Sequence, residues 1–119
     1  MEISKKKEDE VVNEMTLWAD DSNPNIRRVA SEGLRGVARR NPEKILSVIE
    51  KLKTDDSLYV RKSVAALLRA ISKKDPDLVI DLCKKWTGLK NRNTNWIIKQ
   101  GIKKLSEEQQ EKIRALLDE

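Results

Sequence analysis

Histidine is absent from this 119-residue chain. Its absence removes the commonest general base near neutral pH and the commonest metal ligand. A single cysteine, Cys83, excludes an intramolecular disulfide and suits a reducing compartment. Phenylalanine is absent too, and three Trp and one Tyr leave the core to aliphatic side chains. With four glycines there is no Gly-rich phosphate loop, and no G-x-S-x-G elbow or Cys/His cluster occurs. No apolar run approaches the roughly 20 residues of a membrane span. The N-terminal MEISKKKEDEVV lacks the apolar stretch of a signal peptide. These absences predict a soluble, cytoplasmic protein with no membrane association.

Charge is abundant instead. Lys and Arg total 25 against 20 Asp and Glu, a net charge of +5. That balance admits a polyanionic partner, and it equally suits solvated helix faces. The apolar residues are periodic rather than scattered, so the chain is predicted to fold as one domain over residues 1–119.

The periodicity resolves into a repeat of 34 residues. With Ile26 placed over Val60, Arg27 meets Arg61, Leu34 meets Leu68, Arg35 meets Arg69 and Pro42 meets Pro76. A weaker third copy brings Ile102, Lys103 and Leu105 into line. Each unit reads as two helices. Asn41-Pro42 and Asp75-Pro76 have the form of an N-cap followed by proline at the first helical position. Ile45, Leu46, Ile49 and Leu52, then Leu78, Val79, Leu82 and Trp86, follow at helical spacing. Ser106 caps a last helix with a glutamate-rich first turn. The predicted layout is a cap helix in 1–20 (helical over about 4–19, with Val11, Val12, Met15 and Trp18 inward), units over 21–53 and 55–86, a partial unit over 87–105 and a closing helix over 106–119. The architecture is an all-α solenoid in which stacking supplies the core.

One helix in each unit carries a cationic stripe. Arg28, Glu32, Arg35 and Arg39 share a face, as do Lys62, Ala66, Arg69 and Lys73, and then Trp96, Gln100 and Lys103. Arg27 and Arg61 flank it. The stripe reads either as a groove tracking a nucleic-acid backbone, with Trp96 stacking or wedging, or as a solvated face with Trp86 and Trp96 buried between helices. Glu32, between Arg28 and Arg35, is a surface ion pair or a carboxylate set against developing positive charge. Cys83 lies on an apolar helix and reads as a core residue.

The runs WADDSNPNIRRVASEGLR, LKTDDSLYVRKSVA, ISKKDPDLVIDLCKKW and TNWIIK resemble bacterial DNA alkylation repair proteins. These are the 3-methyladenine DNA glycosylases of the AlkC and AlkD type, and the likeness to the AlkC branch covers about residues 14–105. The resemblance implies a short right-handed α-solenoid of HEAT-like helix pairs, about six or seven helices, with a concave basic surface. It implies double-stranded DNA held by its backbone and no metal or cofactor. The nucleic-acid-binding residues would be Arg27, Arg28, Arg35, Arg61, Lys62, Arg69, Trp96 and Lys103. Arg28 and Glu32 match the family's R-x-x-x-E, which makes Glu32 the active-site acid of any surviving hydrolysis of the N-glycosidic bond.

The departures fall where the chemistry would be. The family's S-V-A-N-N-L-N-D reads SVAALLRA here, so Ala66 and Leu67 replace the Asn pair and Ala70 replaces the catalytic Asp. Gln100 stands in place of the histidine of W-I-I-K/R-H, and Gly36 follows SEGLR where the family has proline and a longer loop. The chain is about half the family's usual length. These departures lead to the expectation of a non-catalytic module, an engineered or truncated scaffold that keeps at most weak backbone binding to DNA. The alternative is a minimal alkylpurine glycosylase using Glu32. An exposed Leu67 would offer an apolar patch for a protein partner or self-association, and a core-facing Leu67 would only fill space.

Overall fold

The computed structural model describes residues 5–118. Residue 4, where the first helix is expected to begin, and residue 119 lie outside the described residues. Among the described residues there are eight α-helices: α1 (Lys5–Trp18), α2 (Pro24–Glu32), α3 (Arg35–Arg40), α4 (Leu46–Leu52), α5 (Leu58–Lys74), α6 (Pro76–Thr87), α7 (Arg92–Gly101) and α8 (Glu107–Leu117). A 3₁₀ turn over Pro42–Ile45 leads into α4. Since α2 and α3 are one rod interrupted at Gly33–Leu34, and the 3₁₀ turn continues into α4, the described residues form seven rods.

The 34-residue repeat is visible in the helix starts. Asn23, Ser57 and Asn91 are the N-cap residues of α2, α5 and α7, each with extended backbone. The same register explains why one rod is broken. Gly33, Leu67 and Gly101 are equivalent positions. α2 stops before Gly33 and α7 ends at Gly101, whereas Leu67 lets α5 run unbroken for 17 residues.

The rods form two rows. One holds α2/α3, α5 and α7; the other holds α4, α6 and α8; and α1 lies against α2 and α4. The molecule measures 41 × 31 × 18 Å. Its thinnest dimension is two helices deep at the usual interaxial spacing of about 8–10 Å. The core is aliphatic. Leu34, Ile45, Ile49, Leu68, Ile71, Ile97, Ile98 and Ile102 have no exposed surface, and each contributes about 1.5–3 kcal/mol of burial. Trp86 is the buried aromatic exception, and its indole N–H donates to Glu50 at 3.0 Å. Leu67 is 1% exposed, so the apolar surface patch considered for self-association does not exist.

Two local expectations are corrected. Asp75 caps α6 by accepting from the Leu78 amide, but Asn41, although it stands at the N-cap of the 3₁₀ turn, makes no side-chain cap hydrogen bond. Its Nδ2 instead donates to Glu8 at 2.6 Å. In α1, Val11 and Trp18 face solvent rather than the core. The buried line is Glu8, Met15 and Ala19, with Val12 packed against it. Glu8 carries charge into that line because Arg40 Nε (3.1 Å) and Lys44 Nζ (3.2 Å) meet its carboxylate. The Asn41 hydrogen bond and these cations hold its pKa below the usual carboxylate value, against the opposing effect of burial.

Candidate nucleic-acid interface

The flanking arginines tie neighbouring units together. Arg27 donates to the backbone carbonyls of Asp21 and Ser22 in its own loop. It then forks onto Asp55 of the next loop, with Nε at 2.8 Å and Nη2 at 3.1 Å. The Asp55 side chain is 6% exposed, and its hydrogen bonding raises the Arg27 pKa further. Arg61 repeats the pattern one unit on, donating to the carbonyls of Asp55 and Asp56 and to Asn93 Oδ1. The residue in register with Asp55 is now Leu89, so no carboxylate answers Arg61. Its guanidinium lies 5.5 Å from the Trp96 ring centroid instead, and its Nε is buried without a partner. Both arginines, expected on a DNA groove, are engaged in joining the loops, and Trp96 is partly buried beneath Arg61.

The stripe itself converges on a cleft of 210 Å³. Arg35 and Arg39 of α3, Arg69 and Lys73 of α5 and Lys104, just past α7, line it together with Ala66 and Ala70. Arg69 is fixed in place, because its Nη1 donates to the Gln100 carbonyl at 3.0 Å near the C-terminal end of α7. Among the described residues none of these five cations forms an ion pair. No carboxylate lines the cleft. Low-dielectric walls around charge of one sign focus the field on whatever enters.

Of the residues expected from sequence, the cleft gathers Arg35 and Arg69. Arg28 is paired with Glu32 at 3.3 Å, both are exposed to solvent, and neither lines the cleft. Lys62 sits 6.0 Å from the ring centroid of Tyr59. Tyr59 is 66% exposed and on the same face of α5, and sequence reasoning passed over it. Lys104 lines the cleft where Lys103 was expected. The 34-residue register held the signal, since Lys104 is equivalent to Ala70 and Gly36. Cys83 is fully buried, and burial pushes its thiol pKa up to about 12. No helix among the described residues is long and apolar enough to cross a membrane.

A family model described as DNA alkylation repair enzyme matches residues 2–105. The chain is 34% identical over 107 residues to the uncharacterized protein YhaZ of Bacillus subtilis (strain 168), covering 82% of this chain and 30% of YhaZ. It is similar to the structure of Pseudomonas fluorescens alkylpurine DNA glycosylase AlkC bound to DNA containing an abasic site analog. There the TM-score is 0.80 and the identity 34%, over 87% of this chain and 32% of AlkC. It is also similar to smu.31 from Streptococcus mutans UA159, with TM-score 0.74 and 38% identity, over 86% of this chain and 53% of that one. The chain thus spans about a third of the length of YhaZ and AlkC. The family model matched over residues 2–105, together with the likeness to AlkC at 34% identity, places this chain in the DNA alkylation repair enzyme family.

Proposed function

We propose that this chain is a non-catalytic helical-repeat module that holds duplex DNA by its phosphates. The observation that carries the reading is the cleft with five unpaired cations and no carboxylate. Ala66 and Ala70 form part of its lining, where the family resemblance expects an Asn and the catalytic Asp. AlkC, the structural relative, is bound to DNA containing an abasic site analog. A DNA partner and one buried thiol fit a cytoplasmic location.

The test is fluorescence anisotropy with a duplex carrying an abasic-site analogue. If the cleft neutralises one or two phosphates, affinity falls roughly 3- to 12-fold between about 50 and 200 mM salt. Absence of binding at low salt, or binding insensitive to salt, overturns the reading. A second reading, a minimal alkylpurine glycosylase with Glu32 as its acid, is favoured by the Arg28–Glu32 pair on the same helical rod. It requires release of 3-methyladenine from alkylated DNA that disappears in Glu32→Gln.

A further inference from the structure

The cleft is over-charged for a DNA backbone. Along one strand a duplex presents one phosphodiester charge per about 3.4 Å of axis. The cleft is short, formed by side chains of three neighbouring helical segments, so a strand crossing it sets only one or two diester groups among its cations. Five cations from three successive units surround that space, and Arg69 is held there by its bond to the Gln100 carbonyl. A single diester leaves most of this charge unanswered. Linked phosphates pack several charges into a short length. Each of their oxygens can accept from a guanidinium fork or an ammonium. The two alanines add no polar group and leave room beside α5.

We propose that the cleft binds a short linear chain of phosphates, such as tripolyphosphate or the triphosphate tail of a nucleotide, and that its occupancy displaces duplex DNA. The displacement rests on the DNA-binding reading above; the phosphate-chain site does not. No aromatic side chain lines the cleft, so nothing there stacks on a base. The site reads the phosphate tail and is indifferent to a nucleoside attached to it.

The experiment is isothermal titration of the full chain with inorganic tripolyphosphate at constant ionic strength and without divalent cations. Orthophosphate and ATP are run as comparators. The expected result is one site per chain, at least tenfold tighter for tripolyphosphate than for orthophosphate, with ATP within a few-fold of tripolyphosphate. Arg69→Gln and Lys73→Gln each weaken it about tenfold or more, the scale of a charge-assisted hydrogen bond. Arg69→Gln also severs the link to Gln100, whereas Lys73 lines the cleft without an ion pair, so Lys73→Gln keeps the test independent of folding. Lys112→Gln, on α8 and paired with Glu108, leaves binding unchanged.

Equal affinity for orthophosphate, several sites per chain, ATP far tighter than tripolyphosphate, or indifference to Lys73→Gln overturns the proposal. Anisotropy with labelled duplex separates the two readings. Tripolyphosphate binding without DNA binding removes the DNA module, and with it the displacement, and keeps the site. DNA binding that tripolyphosphate does not displace at matched ionic strength removes the proposal and keeps the module.

Discussion

Gly101→Ala puts a single methyl group at the joint that assembles the cleft, and its sign is diagnostic. A Cβ on Gly101 falls 2.5 Å from Leu68 Cδ1, 2.9 Å from Leu68 Cβ and 3.3 Å from Leu68 Cγ. Carbon atoms rest at about 3.5–4.0 Å, so α7 must retreat from α5 by about 1 Å. Leu68 is fully buried, and the Cβ contact leaves a rotamer change no escape. Overpacking of this kind costs about 1–3 kcal/mol. Replacing glycine by alanine in an unobstructed helix gains up to about 1 kcal/mol, and less at a last helical residue. The net expectation is a loss of about 1–2 kcal/mol. For a domain of this size each kcal/mol moves Tm by about 4 °C, so Tm falls by about 4–8 °C.

The assay is thermal unfolding by circular dichroism beside Gly36→Ala. A Cβ at Gly36 meets only the flexible end of Arg40, 3.3 Å away at Nη1, so that variant is neutral or stabilised. A Tm that is unchanged or raised in Gly101→Ala refutes the close approach of α7 to α5. On a Leu68→Ala background the penalty shrinks but persists, because the Cγ and Cδ1 contacts are gone while the Cβ contact at 2.9 Å remains. Retreat of α7 also draws the Gln100 carbonyl from Arg69 and Lys104 from the cleft, so DNA affinity falls with Tm.

Other perturbations have defined outcomes. Glu8→Gln lowers stability at pH 7 by about 1–2 kcal/mol, since hydrogen bonds to its charge are lost beside partly exposed partners. The folded pKa of Glu8 is depressed, so its contribution is present above its ordinary value of 4.5 and is lost as pH falls through the lower folded value. Urea midpoints of the two proteins therefore converge progressively as pH falls below 4.5. Asp55→Ala leaves Arg27 without its fork and the Ser57 amide without its acceptor, and costs about 2–4 kcal/mol by urea unfolding. Leu89→Asp puts an acid in register with Asp55 opposite Arg61, and Leu89 is 48% exposed, so the change raises Tm by about 2–4 °C. Cys83 reacts with a thiol reagent only on unfolding, because its pKa near 12 and its burial suppress the thiolate.

Helix starts were legible in the sequence wherever local chemistry sets them. Asp75-Pro76 and Ser106 behave as read, and Ser106 completes a capping box with Gln109. Asn41-Pro42 carries the same two-residue signal and fails as a side-chain cap, because Glu8, 33 residues away in sequence, takes the Asn41 amide. The ion pairs were not legible for a similar reason. Spacing tells which residues share a helix face but not which acid lies on the neighbouring loop. Arg27 is drawn onto Asp55, whereas Arg35, in the stripe that Arg27 flanks, lines the cleft.

The stretch SVAALLRA joins these points. Ser63, Val64, Ala65, Leu67, Leu68 and Ala70 are buried, and Ser63 Oγ donates to Ser31 Oγ of α2 at 2.8 Å. Its polar losses therefore fall into two kinds. Leu67 occupies the position of Gly33 and Gly101 and keeps α5 continuous, so replacing a polar residue there strengthens the central rod. Ala66 and Ala70 line the cleft, and with Ala70 where the family resemblance expects an Asp no carboxylate stands among the five cations. A carboxylate restored at Ala70 would sit between Arg69 and Lys73 and would neutralise part of the charge that any phosphate needs. If the cleft holds phosphates as proposed above, Ala70→Asp therefore lowers affinity for both tripolyphosphate and duplex DNA, which titration and anisotropy would read.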